Sequence, residues 1–195
     1  RNDSIEDFRS LVKKFKTLPN IESSIFETNP LLLKTTPTLL DYSAFFGSIE
    51  IFNFLNGISR ISAEIWFFAV HGNNLDIIKA IEAHKIKPTG SSFAPVLIEC
   101  FRCQHHEITT YIKDNLLELK DGNETRILYE SVKFYDYYNF PQDLNNNIAF
   151  YNFCNADNAS FVSGILSLLK KEFKVNEPVS NLVFIFFTLI EFFFD

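Results

Sequence analysis

Between residues 36 and 118 the sequence repeats one short pattern three times, and this repetition constrains the fold more than any other feature. Each copy has two apolar segments of about ten residues joined by a tight polar turn. In every copy an acidic residue precedes an isoleucine (Ile51, Ile77 and Ile108), and another aliphatic residue follows four positions later. One such segment cannot bury its apolar side alone, whereas stacked pairs bury it against one another. The sequence therefore predicts an all-α protein made of stacked helix pairs.

The three copies differ most at one position that must be packed. The residue seven positions before each repeated isoleucine is Ala44, Val70 or Phe101. The first helix of a pair has to approach its neighbours closely, so small side chains suit this position. Phe101 departs from that rule, and we expect looser or compensated packing in the third copy.

The turns inside the pairs also vary. Gly47, Asn73 and Gln104 stand where the two helices of each copy should be joined. Glycine and asparagine adopt the left-handed backbone conformation of such turns readily, so Gln104 is the harshest departure. Gly57 and Asn115 follow the second helices of their copies, and their spacing predicts left-handed caps there as well.

These residues resemble the ankyrin repeat, whose pattern begins T-P-L-H-x-A-A and reaches a glycine after two free positions. Thr38 and Leu40 match the Thr and first Leu, Ser43 and Ala44 match the small pair, and Gly47 matches the turn. The version here, rich in Phe, Asn and Ile, is similar to a divergent ankyrin-like family of unknown function expanded in parasitic protists. The resemblance implies an irregular all-α helix-turn-helix solenoid with no known catalysis.

The resemblance also implies a domain organisation. We expect an N-terminal helical cap region over 1–35, ankyrin-like repeats over 36–174, and an apolar C-terminal helix over 175–195 that is a partial repeat. The chain contains no Met and ends directly after an apolar run, so we expect an array truncated at both ends. The predicted units lie near residues 36–60, 61–90, 91–121, 122–146 (degenerate) and 147–174.

Ankyrin stacks usually bind partners on the concave side, which the first helices and the tips between repeats form. The resemblance therefore implies a non-enzymatic scaffold that binds another protein, whose identity the sequence does not give. An aromatic patch on such a face is a reasonable anchor for a protein partner, although several of its Phe side chains would also suit a core. By position, the implied binding residues are Tyr42, Phe45, Phe46, Phe68, His71, Glu99 and Arg102.

A second hypothesis is a metal-binding or redox module. Cys100, Cys103 and His106 follow three-residue steps, and thiolates and imidazoles are good zinc ligands. Cys100 falls at a packed position and His106 near an inter-helix turn, so these ligands would diverge, and we expect no metal. No nucleophile elbow, Walker A or dinucleotide-binding glycine pattern is present, so we expect neither catalytic residues nor a cofactor.

A third hypothesis is a membrane-associated fragment anchored by residues 182–194. This run is apolar with one acidic interruption, but it is shorter than the ~20 residues a spanning helix needs, so a core helix is the alternative. The formal net charge of −6 gives no reason to expect nucleic-acid binding. Three cysteines and no recognisable signal peptide favour a reducing compartment, so we expect a cytoplasmic protein.

Overall fold

In the computed structural model the chain divides into two compact units, Arg1–Leu119 and Lys120–Asp195. The structure describes residues 3–14, 18, 21, 24–118, 126, 127, 130, 131, 133, 134 and 136. Every regular element within these residues is a helix, which confirms the all-α class for this part of the chain. The helices α1 to α8 are Ile5–Val12, Pro30–Lys34, Leu39–Phe45, Ile49–Asn56, Ile65–Gly72, Leu75–Ala83, Ala94–Cys103 and His106–Asn115.

Little of the second unit is described. Its Ser131 and Asp136 are buried, and the Asp136 N–H donates to the Ser131 carbonyl at 2.8 Å. Apart from the seven described positions between 126 and 136, the predicted units 122–146 and 147–174 and the predicted helix 175–195 lie outside the described residues.

Helix α1 begins at a side-chain cap. The Asp7 N–H donates to the Ser4 hydroxyl at 3.4 Å, and the helix packs on α4 through an edge-on contact between Phe8 and Phe54. Asp3, the residue before Ser4, caps a different helix, which the sequence pattern does not reveal. The Asp3 carboxylate accepts hydrogen bonds from the backbone N–H groups of Glu50 and Ile51, in the first turn of α4, at 2.8 and 3.2 Å. Because Ser48 makes no side-chain cap on α4, Asp3 supplies that cap from elsewhere in the chain.

The turns inside the three pairs adopt the predicted conformation. Gly47, Asn73 and Gln104 have φ angles of 67°, 48° and 58°, all in the left-handed region. The expectation for the ends of the second helices was wrong. Gly57 has φ −73°, because the chain continues as a right-handed turn in which the N–H groups of Ile58 and Ser59 donate to the Leu55 carbonyl of α4. Asn115 is the last residue of α8, and the following cap residue has φ −118°.

Successive pairs pack through equivalent helices. Among the first helices α3 contacts α5 and α5 contacts α7, and among the second helices α4 contacts α6 and α6 contacts α8. The aliphatic residue four positions after each repeated isoleucine is fully buried in all three pairs, at Leu55, Ile81 and Ile112. The pattern that repeats along the sequence therefore marks the buried side of each second helix.

The packed position of the first helices is buried in every pair despite its change of size. Ala44 and Val70 are fully buried, and Phe101 is 1% exposed. The third pair therefore accommodates the larger ring inside the core. On α5, the buried Trp66 meets Phe93 edge-on and donates its indole N–H to the Ile86 carbonyl at 2.9 Å.

The first two pairs approach so closely that their backbones touch. A Cβ atom at Gly72 would overlap the Ala44 carbonyl oxygen, and a Cβ atom at Gly47 would overlap the Gly72 carbonyl oxygen. The Asn74 side-chain amide donates to the Gly47 carbonyl at 2.9 Å and closes the same contact. Both glycines are therefore required by the spacing of α3 and α5, and Gly47 by its positive φ as well.

Candidate functional site

Six of the seven predicted binding residues lie in one continuous row of side-chain contacts along α3, α5 and α7. The seventh, Phe68, is only 2% exposed, so its side chain belongs to the core and not to a surface. The cause is the central position of α5, which packs against α3, α6 and α7 and keeps little free surface. We call the remaining residues the first-helix row, which consists of Tyr42, Phe45, Phe46, His71, Glu99 and Arg102.

The row begins with aromatic rings from the first pair. Tyr42 and Phe46 lie 5.2 Å apart between ring centroids, and Phe45 meets Phe46 edge-on at 5.0 Å. Phe45 also stacks on the His71 ring of the next pair at 5.0 Å, with only 19° between the ring planes. All four rings are half-buried, so each combines a fixed position with an accessible edge or face.

The row ends in a polar group that joins the second pair to the third. His71 Nε2 donates to Glu99 Oε1 at 2.9 Å, and the Arg102 guanidinium donates to the other carboxylate oxygen at 3.0 Å. The His71 and Glu99 side chains are 17% and 14% exposed, whereas Arg102 is 55% exposed. Glu99 therefore accepts from both neighbours while being largely withdrawn from solvent.

Burial and these hydrogen bonds act against each other on Glu99. Burial opposes ionisation, but the His71 hydrogen bond and the nearby Arg102 charge outweigh it, so the pKa of the Glu99 carboxyl lies below its ordinary value. An ionised carboxylate can only accept hydrogen bonds, so the shared proton sits on His71 Nε2. In the neutral imidazole the other ring nitrogen, Nδ1, carries the lone pair.

That lone pair faces a residue that the predicted binding surface did not include. Cys103 Sγ lies 3.6 Å from His71 Nδ1, and its side chain is half-buried. The pKa of the Cys103 thiol is raised to about 12. Burial is the larger cause of this rise, and the nearby Glu99 charge is the smaller. Cys103 follows Glu99 by four residues on α7, a spacing that places both on one side of the helix and that is visible in the sequence.

The structure changes the grouping of potential metal ligands. Cys100 is fully buried, and His106 is exposed in the first turn of the next helix. Among the described residues, the group of three whose donor atoms come together is instead His71, Glu99 and Cys103, within 4.8 Å of one another. Cys103 thus belongs to a cluster between α5 and α7 and not to the predicted set along one segment.

The same three residues also stand in the order of a cysteine nucleophile, its base and an orienting acid. Two features oppose that chemistry. Cys103 ends α7, where the helix dipole is negative, and the Glu99 carboxylate is close by, so a thiolate without a bound cation is disfavoured. The same negative charges that disfavour a free thiolate favour a bound cation.

Comparison with protein-family models, with curated proteins and with solved structures finds no match for this chain. The ankyrin-like relationship therefore stays a prediction from the residues quoted above. Within the part of the chain that the structure describes, no helix has the length and apolar character needed to cross a membrane. Residues 182–194, on which the membrane hypothesis depends, lie outside that part.

Proposed function

We propose that this chain is a non-enzymatic scaffold of divergent ankyrin-like repeats that binds another protein through the first-helix row. The observation that carries the proposal is the continuity of the row, in which each side chain contacts the next from α3 across α5 to α7. Residues far apart in the chain form one surface because equivalent helices pack side by side.

Three features support the repeat part of the proposal. First helices contact first helices and second helices contact second helices, both in chain order. The turns share a left-handed residue, and equivalent positions of successive pairs are buried alike. A stack of this kind creates an extended surface whose specificity depends on the exposed residues of the first helices.

The composition of the row supports protein binding. Interface anchors are typically aromatic residues and arginine set in a partly withdrawn surface, and the row supplies three aromatic rings at one end and Arg102 at the other. Contacts within the row hold these side chains in place before any partner arrives. Less side-chain entropy is then lost on binding, which favours affinity.

Partner capture by the wild-type chain and by two matched double variants tests the proposal. Tyr42→Ala with Arg102→Ala truncates both ends of the row, and we expect at least ~30-fold weaker binding of the captured partner. Asn53→Ala with Lys113→Ala is the control, because these residues are exposed on the second helices α4 and α8. Equal binding by the wild type and by a folded Tyr42→Ala, Arg102→Ala variant would remove the row from the interface.

A further inference from the structure

We propose that His71, Glu99 and Cys103 together bind a divalent transition-metal ion of the zinc class, a function beyond the protein binding proposed above. One donor atom from each residue lies within 4.8 Å of the other two. The set offers a nitrogen, an oxygen and a sulfur donor, which are the three ligand types that zinc takes in proteins. Three protein ligands leave a fourth position for water.

The distance between Cys103 and His71 is that of two adjacent ligands on one ion. Their Sγ and Nδ1 atoms lie 3.6 Å apart. Zinc bonds of about 2.3 Å to sulfur and about 2.0 Å to nitrogen, at a tetrahedral angle, place the two donors roughly 3.5 Å apart. The ion would therefore replace the thiol proton between these atoms with little movement of either side chain.

Glu99 already orients the histidine as metal sites require. By accepting from Nε2, its carboxylate directs the lone pair of Nδ1 toward Cys103. Metal-binding histidines are commonly held in this way by a carboxylate on the opposite ring nitrogen. When the ion binds, Glu99, one helical turn before Cys103, gives up this hydrogen bond, and rotation about its side-chain torsions brings an oxygen onto the ion.

The surrounding charges favour a cation at this point. Helix α5 ends at Gly72 and α7 ends at Cys103, so the negative ends of two helix dipoles lie beside the Glu99 carboxylate. Arg102 opposes binding, but its side chain is largely exposed and can turn into solvent at small cost. Cys103 binds as the thiolate, so each ion bound releases the thiol proton to solvent.

The test is titration of the purified, chelator-treated chain with Co²⁺, followed by displacement with Zn²⁺. A thiolate ligand gives an intense sulfur-to-cobalt charge-transfer band, and we expect this band to saturate at one ion per chain. Cys103→Ser should abolish the band. His71→Gln and Glu99→Gln should each weaken Co²⁺ binding by at least about tenfold.

Two control variants remove the same functional groups elsewhere. Cys100→Ala deletes a buried thiol, and His84→Gln deletes an imidazole directly after α6 that bonds to Asn56. Both should keep the wild-type band and affinity. A folded wild-type chain that gives no thiolate band with Co²⁺, or a Cys103→Ser variant that retains it, would overturn the proposal. The absence of the band in the folded wild-type chain decides against the proposal even if a variant fails to fold.

Discussion

The central helix α5 meets its two neighbours in different ways. Toward α3 it makes backbone contact, with Gly72 against the Ala44 carbonyl and Gly47 in the turn beyond. Toward α7 the contact runs through side chains, with Trp66 edge-on to Phe93, the residue before α7, and His71 bonded to Glu99 near its end. The contact with α3 is thus backbone against backbone, with the Phe45 and Asn74 side chains at its edge, whereas the contact with α7 is made by side chains.

The difference teaches where packed helices can acquire a polar site. Backbone contact between helices leaves no volume for functional groups between them, so at the first interface the Phe45 and His71 rings meet at the edge. A contact filled by side chains can hold hydrogen-bonded and ionisable groups at its edge. The cluster of His71, Glu99 and Cys103 lies at this second interface.

The largest effect is expected from emptying the core at Phe101 of α7. Phe101→Ala should lower the free energy of unfolding by about 3–5 kcal/mol, because it leaves a cavity at a position where the first two pairs hold smaller residues. Urea unfolding followed by the fluorescence of Trp66, the single tryptophan, measures this unit directly. Phe26→Ala, at a ring that is 85% exposed, is the control and should change stability by less than about 0.5 kcal/mol.

Overfilling the first interface should have the next largest effect. Gly72→Ala adds one methyl group against the Ala44 carbonyl and should cost about 1–3 kcal/mol, although alanine favours a helix in other settings. Gly57→Ala is the matched control, because the nearest atom to its new Cβ is 3.7 Å away and its φ is right-handed. The same unfolding experiment should give a neutral or slightly stabilising result for Gly57→Ala. Equal effects of both substitutions would contradict the backbone contact.

Breaking the polar rim of the second interface should have an intermediate effect. Glu99→Ala deprives His71 and Arg102 of their common acceptor, and we expect a loss of about 1–2 kcal/mol in the unfolding free energy. Arg102→Ala leaves the better buried His71 bond intact and should cost less than about 1 kcal/mol. If both substitutions cost the same, the stabilising contact is the exposed ion pair and not the histidine bond.

The smallest effect concerns the turns of the second and third pairs. Gln104→Gly relieves a left-handed glutamine but loses its amide bond to the Phe101 carbonyl at 3.0 Å, so we expect a gain of about 0.5 kcal/mol. Asn73→Gly should gain less, because asparagine tolerates that conformation. Differential scanning calorimetry of both variants ranks them. A larger gain at Asn73 would show that the Gln104 side chain contributes more than its backbone strain.

Features that depend on short spacing could be predicted from the sequence. The helix pairs follow from apolar periodicity, and the left-handed turns at Gly47, Asn73 and Gln104 follow from their register in the repeat. The contacts of the first-helix row could be anticipated because α3, α5 and α7, which carry equivalent positions of the sequence pattern, pack side by side.

Features that depend on how much surface a helix keeps could not be predicted in this way. Phe68 was assigned to the surface by position, but α5 is covered on three sides. The sequence of α5 alone does not show how many helices pack against it. The pairing of Cys103 with His71 was also missed, because it joins residues 32 apart whose approach depends on the packing of α5 against α7.

The cap that Asp3 places on α4 bears on the order in which this unit assembles. The polar contacts between neighbouring pairs span 27 to 32 residues, whereas those of Asp3 span 47 and 48. Closing a longer loop costs more chain entropy, and folding is fastest for contacts that are local in sequence. The paired helices can therefore form first, and α1 docks onto a helix that already exists. We expect the amides at the start of α4 to exchange with solvent sooner than those of α5, since their protection lasts only while the N-terminal segment stays docked.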